Sequence, residues 1–249
     1  MPISALTQFE PIRRGRMSLS LASCETEVRE AQRLRHDVFG LEMGASINAV
    51  DGRDVEELDR YCEHLLLRDD ETGDVVGCYR ILTAQGAKRA GRWYSQSEFD
   101  MGNLLGLMER SMELGRACVR ADRRGGAAIM MLWTGLVSFA KSRDLVAMLG
   151  CGSISVMDGG HGAASLFEQM KASGRCAPER WRVYPKNRLP LERLDRNRKI
   201  ATPPLMKGYL RAGAYICGEP CLDPRFHCAD VIVLMPLQNI AGQYGRHFS

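Results

Sequence analysis

Residues 111–142 place a strand-like run, a basic turn and an apolar helix in direct succession: SMELGRACV, RADRRGG, AAIMMLWTGLVSFAKS. Apart from Glu113, Arg116 and Arg120 the run around 111–120 is apolar on both faces, which places it in the middle of a covered sheet. The following segment, about 127–142, carries Ile129, Leu132, Trp133, Leu136, Val137 and Ala140 on one stripe of a helix. A buried strand leading straight into a buried helix predicts an α/β fold. The turn between them reads RxxGxA from Arg123 to Ala128. Its glycines let main-chain N–H groups approach an anion, and a helix N-terminus adds a favourable dipole. Arg123, Arg124, Gly125, Gly126 and Ala127 are therefore expected to cradle the phosphate of coenzyme A or of a phosphopantetheine arm. Two other glycine readings fail: GCGSIS at 150–155 lacks the third glycine of a dinucleotide fingerprint, and no GxxxxGK[ST] occurs.

Around this unit the chain alternates strand-like and helix-like segments. MSLSLA (17–22) alternates like a strand, and CETEVREAQRLRHDVFG spaces Val28, Ala31, Leu34, Val38 and Phe39 as one helical face. Arg35 lies on that apolar face, where a cation needs a carboxylate partner. Residues 44–58 are polar and read as a mobile loop. YCEHLLLRD and DVVGCYRILT read as a hairpin across the DETGD turn, with Arg80 among the apolar side chains of its second strand. LVAMLGC, a helix marked by Ala163, Leu166, Phe167 and Met170, and the runs AYICG and DVIVLMPL follow. Without repeats or a linker, the expectation is a single domain over 1–249. It has a flexible arm at 1–16 and C-terminal strands within 200–249 that complete a mixed, mostly antiparallel sheet flanked by helices.

No run approaches the length of a membrane span, and the N-terminus lacks an apolar signal core, so a cytoplasmic protein is expected. Nine scattered cysteines fit reduced thiols. Cys217, Cys221, His227 and Cys228 have no common zinc spacing, and no metal site is expected. Six lysines stand against 28 arginines. Arginine's planar fork suits phosphate and carboxylate, although a GC-rich genome would give the same bias. The net charge of +4 and the absence of a reading motif argue against nucleic acid.

Four spaced features point to a family: Arg35-x-x-x-Phe39, Glu56-x-x-Asp59, Arg80 in a strand, and Glu113-x-x-Arg116. With the strand–RxxGxA–helix unit they resemble the acyltransferases of the GCN5-related N-acetyltransferase fold, and among these the acyl-homoserine-lactone synthases. The tryptophan those synthases carry shortly after the phenylalanine is missing, and Ala45 stands there. The chain is more closely similar to the ornithine-lipid pathway N-acyltransferases, often labelled hemolysin-like. The similar segments are QRLRHDVFGLEMGA, LDRYCEHLLL, SEFDM, MELGRACV and PLMKGYLRAGAYICGEPCLDPRFHCADV, spread from about residue 30 to 235. The resemblance implies transfer of a 3-hydroxyacyl chain from acyl carrier protein to the α-amine of L-ornithine, giving lyso-ornithine lipid. No permanently bound cofactor is implied; the phosphopantetheine thioester is a co-substrate.

That reaction needs a carboxylate to take a proton from the amine and N–H donors for the oxyanion, which an exposed stretch of a splayed central strand could supply. The substrate's own carboxylate calls for arginine and its side-chain ammonium for an acid. By the resemblance Glu56 is the first choice of base, Asp59 orients its neighbours, and Glu113 is the second choice. Arg35, Phe39, Arg80 and Arg116 then bind substrate. The competing reading is a buried ion-pair network that only stiffens the chain, with Glu56 a solvated loop acid. In a straight strand Glu113 and Arg116 face opposite ways, so a bulge is needed for both to serve one pocket. His64 and His161 read as structural. The tract Arg180, Arg182, Lys186, Arg188, Arg193, Arg196, Arg198 and Lys199 would steer an acidic carrier protein, lie in solvent, or touch anionic lipid at the inner membrane face. Two other readings remain: an acyltransferase for another amine, including acyl-homoserine-lactone synthesis, and a non-catalytic acyl-carrier sensor.

Overall fold

Alternating and both-face apolar runs become strands, and stripes at helical spacing become helices. The structure, a computed structural model, describes residues 9–244. The first strands are β1 (Ile12–Arg14) and β2 (Met17–Leu21), antiparallel to each other. The free arm expected over 1–16 is thus corrected at its C-terminal end, where Ile12 pairs with Leu19; its first eight residues lie outside the described residues. Helix α1 (Glu25–Arg35) has acids in its first turn and arginines in its last, each favourable to the helix dipole. It runs into a wide π-helical stretch, His36–Glu42, which buries Val38 and Phe39. The polar segment read as a mobile loop instead forms a small hairpin, β3 (Ala49–Val50) and β4 (Arg53–Asp54). Its turn residues Asp51 and Gly52 both take positive φ, the backbone that a tight hairpin demands. A 3-10 turn at Glu57–Tyr61 leads to β5 (Glu63–Asp69), β6 (Val75–Thr83) and α2 (Ala84–Ala90).

Next come β7 (Phe99–Asp100), α3 (Leu105–Met108), β8 (Ser111–Val119) and α4 (Gly126–Ser142). The last part holds β9 (Ala147–Ser155), α5 (His161–Ala172), β10 (Tyr184–Pro185), α6 (Pro204–Arg211), β11 (Tyr215–Ile216), β12 (Cys221–Asp223), β13 (Cys228–Pro236) and α7 (Leu237–Tyr244).

The contacts divide the chain into two compact units, one made of residues 1–91 and 114–145, the other of 92–113 and 146–249. In the first, β1, β2, β5 and β6 are antiparallel neighbours, and β8 follows β6. Leu19 and Leu67 face each other across β2 and β5 and are wholly buried. Helix α4 lies over this face at Gly135, where an added Cβ would stand 2.2 Å from Leu19 Cδ2. In the second unit Ser111, Met112 and Glu113 pair in parallel with Ala147, Met148 and Leu149. Strand β13 runs antiparallel to β9 from Cys228 opposite Ser155 to Pro236 opposite Ala147. All nine residues of β13 are buried, Asp230 among them, which accounts for the apolar character of the other eight. No helix among the described residues is long and apolar enough to cross a membrane.

Candidate active site

Arg35, at the end of α1, is a fully buried side chain. A guanidinium there must be matched by acids, and two supply the match. Its Nε donates to Asp54 Oδ2 at 2.8 Å, and its Nη1 and Nη2 donate to the two oxygens of Asp59 at 3.0 and 2.9 Å. Asp59 Oδ1 also accepts from Arg80 Nη1 at 3.1 Å, and the same nitrogen reaches Glu56 Oε2 at 2.6 Å. Glu56 Oε1 lies 2.5 Å from Arg116 Nη2, and Arg116 Nε returns to Asp54 Oδ2 at 3.2 Å. Arginine and carboxylate therefore alternate around a closed ring: Arg35, Asp59, Arg80, Glu56, Arg116, Asp54. Glu56, at 12% side-chain exposure, is its most open member.

Local structure holds the ring. Glu56 and Asp59 form a capping box on the 3-10 turn, each side chain accepting from the other's main-chain N–H. Gln32 donates to Asp59 at 2.9 Å, and His64 Nε2 lies 3.0 Å from the Asp59 carbonyl. Burial raises the Glu56 carboxyl, but the Arg116 and Arg80 guanidinium groups outweigh it and hold the acid below its usual range. Burial likewise opposes ionisation of Asp59, and Arg35 with Arg80 reverses that effect strongly. Burial keeps the imidazole of His64 below its ordinary range. Arg116 has φ 52, a left-handed residue inside a strand, which costs a non-glycine about 1–2 kcal/mol. The kink brings Arg116 into the ring; Glu113, expected to serve the same pocket through a bulge, is not among its members.

Five of the expected residues, Arg35, Glu56, Asp59, Arg80 and Arg116, are thus brought together. Phe39 is buried in the π-helical stretch that follows Arg35. Glu113 is held by other partners, accepting from the N–H groups of Tyr94 at 2.7 Å and Ser95 at 2.8 Å and from the Ser95 hydroxyl. At the start of α4, Arg123 donates to Asp69 at 2.7 Å, while Arg124 pairs with Glu42 and gives its Nε to the Val119 carbonyl. These arginines anchor the turn. Gly125, Gly126 and Ala127 are exposed, and nothing lies within 4 Å of where a Cβ on either glycine would stand. The first N–H groups of a helix have no intrahelical acceptor, so an anion arriving here meets main chain first. His161 accepts from the Asp195 N–H at 3.0 Å, as a structural histidine does.

Two features escaped the sequence reading. Asp54 closes the ring but sits in a two-residue strand within a polar stretch, where no periodicity marks it. In the second unit Glu98, Asp230 and Cys151 bring their polar atoms within 4.8 Å of one another. Burial, with Asp230 alongside, pushes the Glu98 carboxyl up to about 9, and burial raises that of Asp230 as well. The Cys217–Cys221–His227–Cys228 grouping does not form among the described residues; Cys228 instead neighbours Asp223 and Asp230.

A family model described as an acetyltransferase (GNAT) domain matches residues 34–134, the stretch that carries the ring and the RxxGxA turn. Among solved structures, the acyl-homoserine-lactone synthase LasI superposes with a TM-score of 0.53 at 16% identity, covering 92% of this chain and 95% of that one. It shows the same α/β fold with a mixed, mostly antiparallel sheet. The L-ornithine N(alpha)-acyltransferase of Rhizobium meliloti (strain 1021) is 34% identical over 248 residues, 92% of this chain and 82% of the relative. The protein of that name from Brucella abortus (strain 2308) is 32% identical, covering 94% and 89%. Similarity at this level extends along nearly the whole chain, well beyond residues 34–134, and it shows that this acyltransferase belongs to the L-ornithine N(alpha)-acyltransferase family.

Proposed function

We propose that the enzyme transfers a 3-hydroxyacyl group from acyl carrier protein to the α-amine of L-ornithine, forming lyso-ornithine lipid by direct attack of the amine on the thioester. The observation that carries this reading is the whole-length similarity to relatives of that name. The ring supports it chemically. The amine must lose a proton as it attacks, and Glu56 is an ionised carboxylate at the ring's most open position. A carboxylate clamped by two guanidinium groups is a weak base. It therefore acts by orienting the amine and receiving its proton late, once the new C–N bond has acidified the nitrogen. Arg80 and Arg116 carry compensating charge and can rebind a substrate carboxylate as Glu56 turns to the amine. The open N-terminus of α4 takes the phosphopantetheine phosphate through main-chain N–H groups. The oxyanion is assigned to main-chain donors of β8 near the Arg116 kink. Glu113, already satisfied by three donors, is the lesser candidate for base. The work is assigned to the cytoplasm, with peripheral contact at the membrane that receives the product.

The test is thiol release from 3-hydroxyacyl carrier protein across a panel of amines. Saturable release with L-ornithine alone is expected, and Glu56→Gln should lower kcat by about a hundredfold. Release only with a different amine would move the function to that substrate.

A further inference from the structure

Asp54 lies outside the four spaced features read from the sequence, yet it is the most deeply buried acid of the ring, with no side-chain exposure. Its carboxylate is used one-sidedly. Arg35 Nε and Arg116 Nε both donate to Oδ2, while Oδ1 is buried without a donor among the described residues. Asp54 thus offers one oxygen to two arginines that come from different elements. Its main-chain carbonyl also accepts from Arg35 Nη2 at 2.5 Å. One residue thereby ties the end of α1 to the kink of β8.

Arg116 is where this tie has a consequence. Its backbone is in the left-handed region, and its guanidinium is gripped at Nε by Asp54 and at Nη2 by Glu56. With Asp54 in place, the plane of the guanidinium is set from the buried side, and the remaining face fixes where Glu56 Oε1 rests. Without it Arg116 keeps Glu56 as an acidic partner, and Glu56 Oε1 shifts with the guanidinium while Oε2 stays on Arg80. We propose that Asp54 is the positioning residue of this site: acting through Arg116, it fixes Glu56, the ring's most open carboxylate, against the substrate amine. This inference rests on the amine-acylating reading above.

The experiment uses the full chain, with 3-hydroxyacyl carrier protein as donor, and compares wild type with Asp54→Asn and Asp54→Glu. Wild-type release across the amine panel tests the underlying reading, and the variants are then scored with whichever amine the wild type accepts. For Asp54→Asn, kcat/KM for the amine is expected to fall about ten- to a hundredfold, the scale of a misplaced reacting group, with KM for the carrier protein unchanged. Asp54→Glu keeps the charge and should lie between wild type and Asn; it also serves if Asp54→Asn fails to fold. Independently of activity, the arginine Nε–H resonance of Arg116 should shift in Asp54→Asn while that of Arg80 stays. Unchanged amine kinetics would overturn the proposal. So would a matching loss of the amine and carrier parameters together with a lowered melting temperature, since Asp54 would then be structural. Absence of release by wild type with every amine would overturn the underlying reading, and the inference with it.

Discussion

Around Arg35, Arg80 and Arg116 each buried cation meets two carboxylates, so the ring carries no uncompensated charge. Such a network is a poor way to gain stability, because desolvation offsets most of the attraction, whereas removing one partner costs about 3–5 kcal/mol. The Glu98 and Asp230 pair follows the opposite logic. No guanidinium or ammonium pairs with either among the described residues, and burial leaves a proton on Glu98 up to about pH 9. The sign follows from linkage. The folded protein holds a proton that the unfolded chain releases in the ordinary carboxyl range, so the stabilising contribution is complete below that range. It declines as pH rises and is gone above about 9. The urea midpoint should therefore fall between about pH 5 and about pH 9, and Asp230→Asn should flatten that slope. A midpoint that rises with pH in the wild type, or a slope that Asp230→Asn leaves intact, would contradict it. Arg35 was legible in the sequence because a charged residue on an apolar helical face needs a partner. Neither the partner Asp54 nor the Glu98–Asp230 pair was legible, since each joins residues far apart in the chain.

Among the elements, α2 packs against the Glu57–Tyr61 turn that carries Asp59. Its second turn is not what matters; Gly86, in the first, stacks against the 3-10 turn that carries Asp59. A Cβ at Gly86 would stand 2.3 Å from the Tyr61 carbonyl oxygen. Helix propensity alone would favour Gly86→Ala by about 1 kcal/mol. The clash is with main chain, which cannot rotate away, and overpacking of this kind costs about 1–3 kcal/mol. The clash should win. Gly86→Ala is expected to lower the melting temperature and, by displacing the Glu57–Tyr61 turn, to reduce amine kcat/KM as well. A stabilised, fully active variant would show that the turn yields freely. The element α4 was readable from its stripe, and β8 from its two apolar faces. The hairpin of β3 and β4 was not, because two-residue strands carry no period and a polar stretch reads as loop.

At the scale of the whole chain, excess arginine is less available than composition suggests. Within the basic tract Arg182 pairs with Glu179, Arg188 with Glu192 and Glu219, and Arg198 with Asp158 and Asp195. Among the described residues Arg193 and Lys199 have no acidic partner in an ion pair. If the tract steers an acidic carrier protein, KM for the carrier should rise steeply with ionic strength, and Arg193→Ala with Lys199→Ala should raise it several-fold at low salt with kcat unchanged. A KM indifferent to both would assign the tract to solvent or lipid. The sequence by itself determined the α/β class and the strand–turn–helix unit, and it made Arg35 and Arg80 stand out among apolar neighbours. Glu56, Asp59 and Arg116 were marked by spaced motifs that resemble a known family. Those features are written in local periods and fixed spacings, which a linear pattern preserves. Only the tertiary structure decided that the ring closes through Asp54, that the arginines of the RxxGxA turn are anchors, and that burial raises both acids of the second unit. Each depends on which oxygen lies near which nitrogen, and on how much water burial removes from between them. Both are properties of three-dimensional packing that spacing along the chain does not encode.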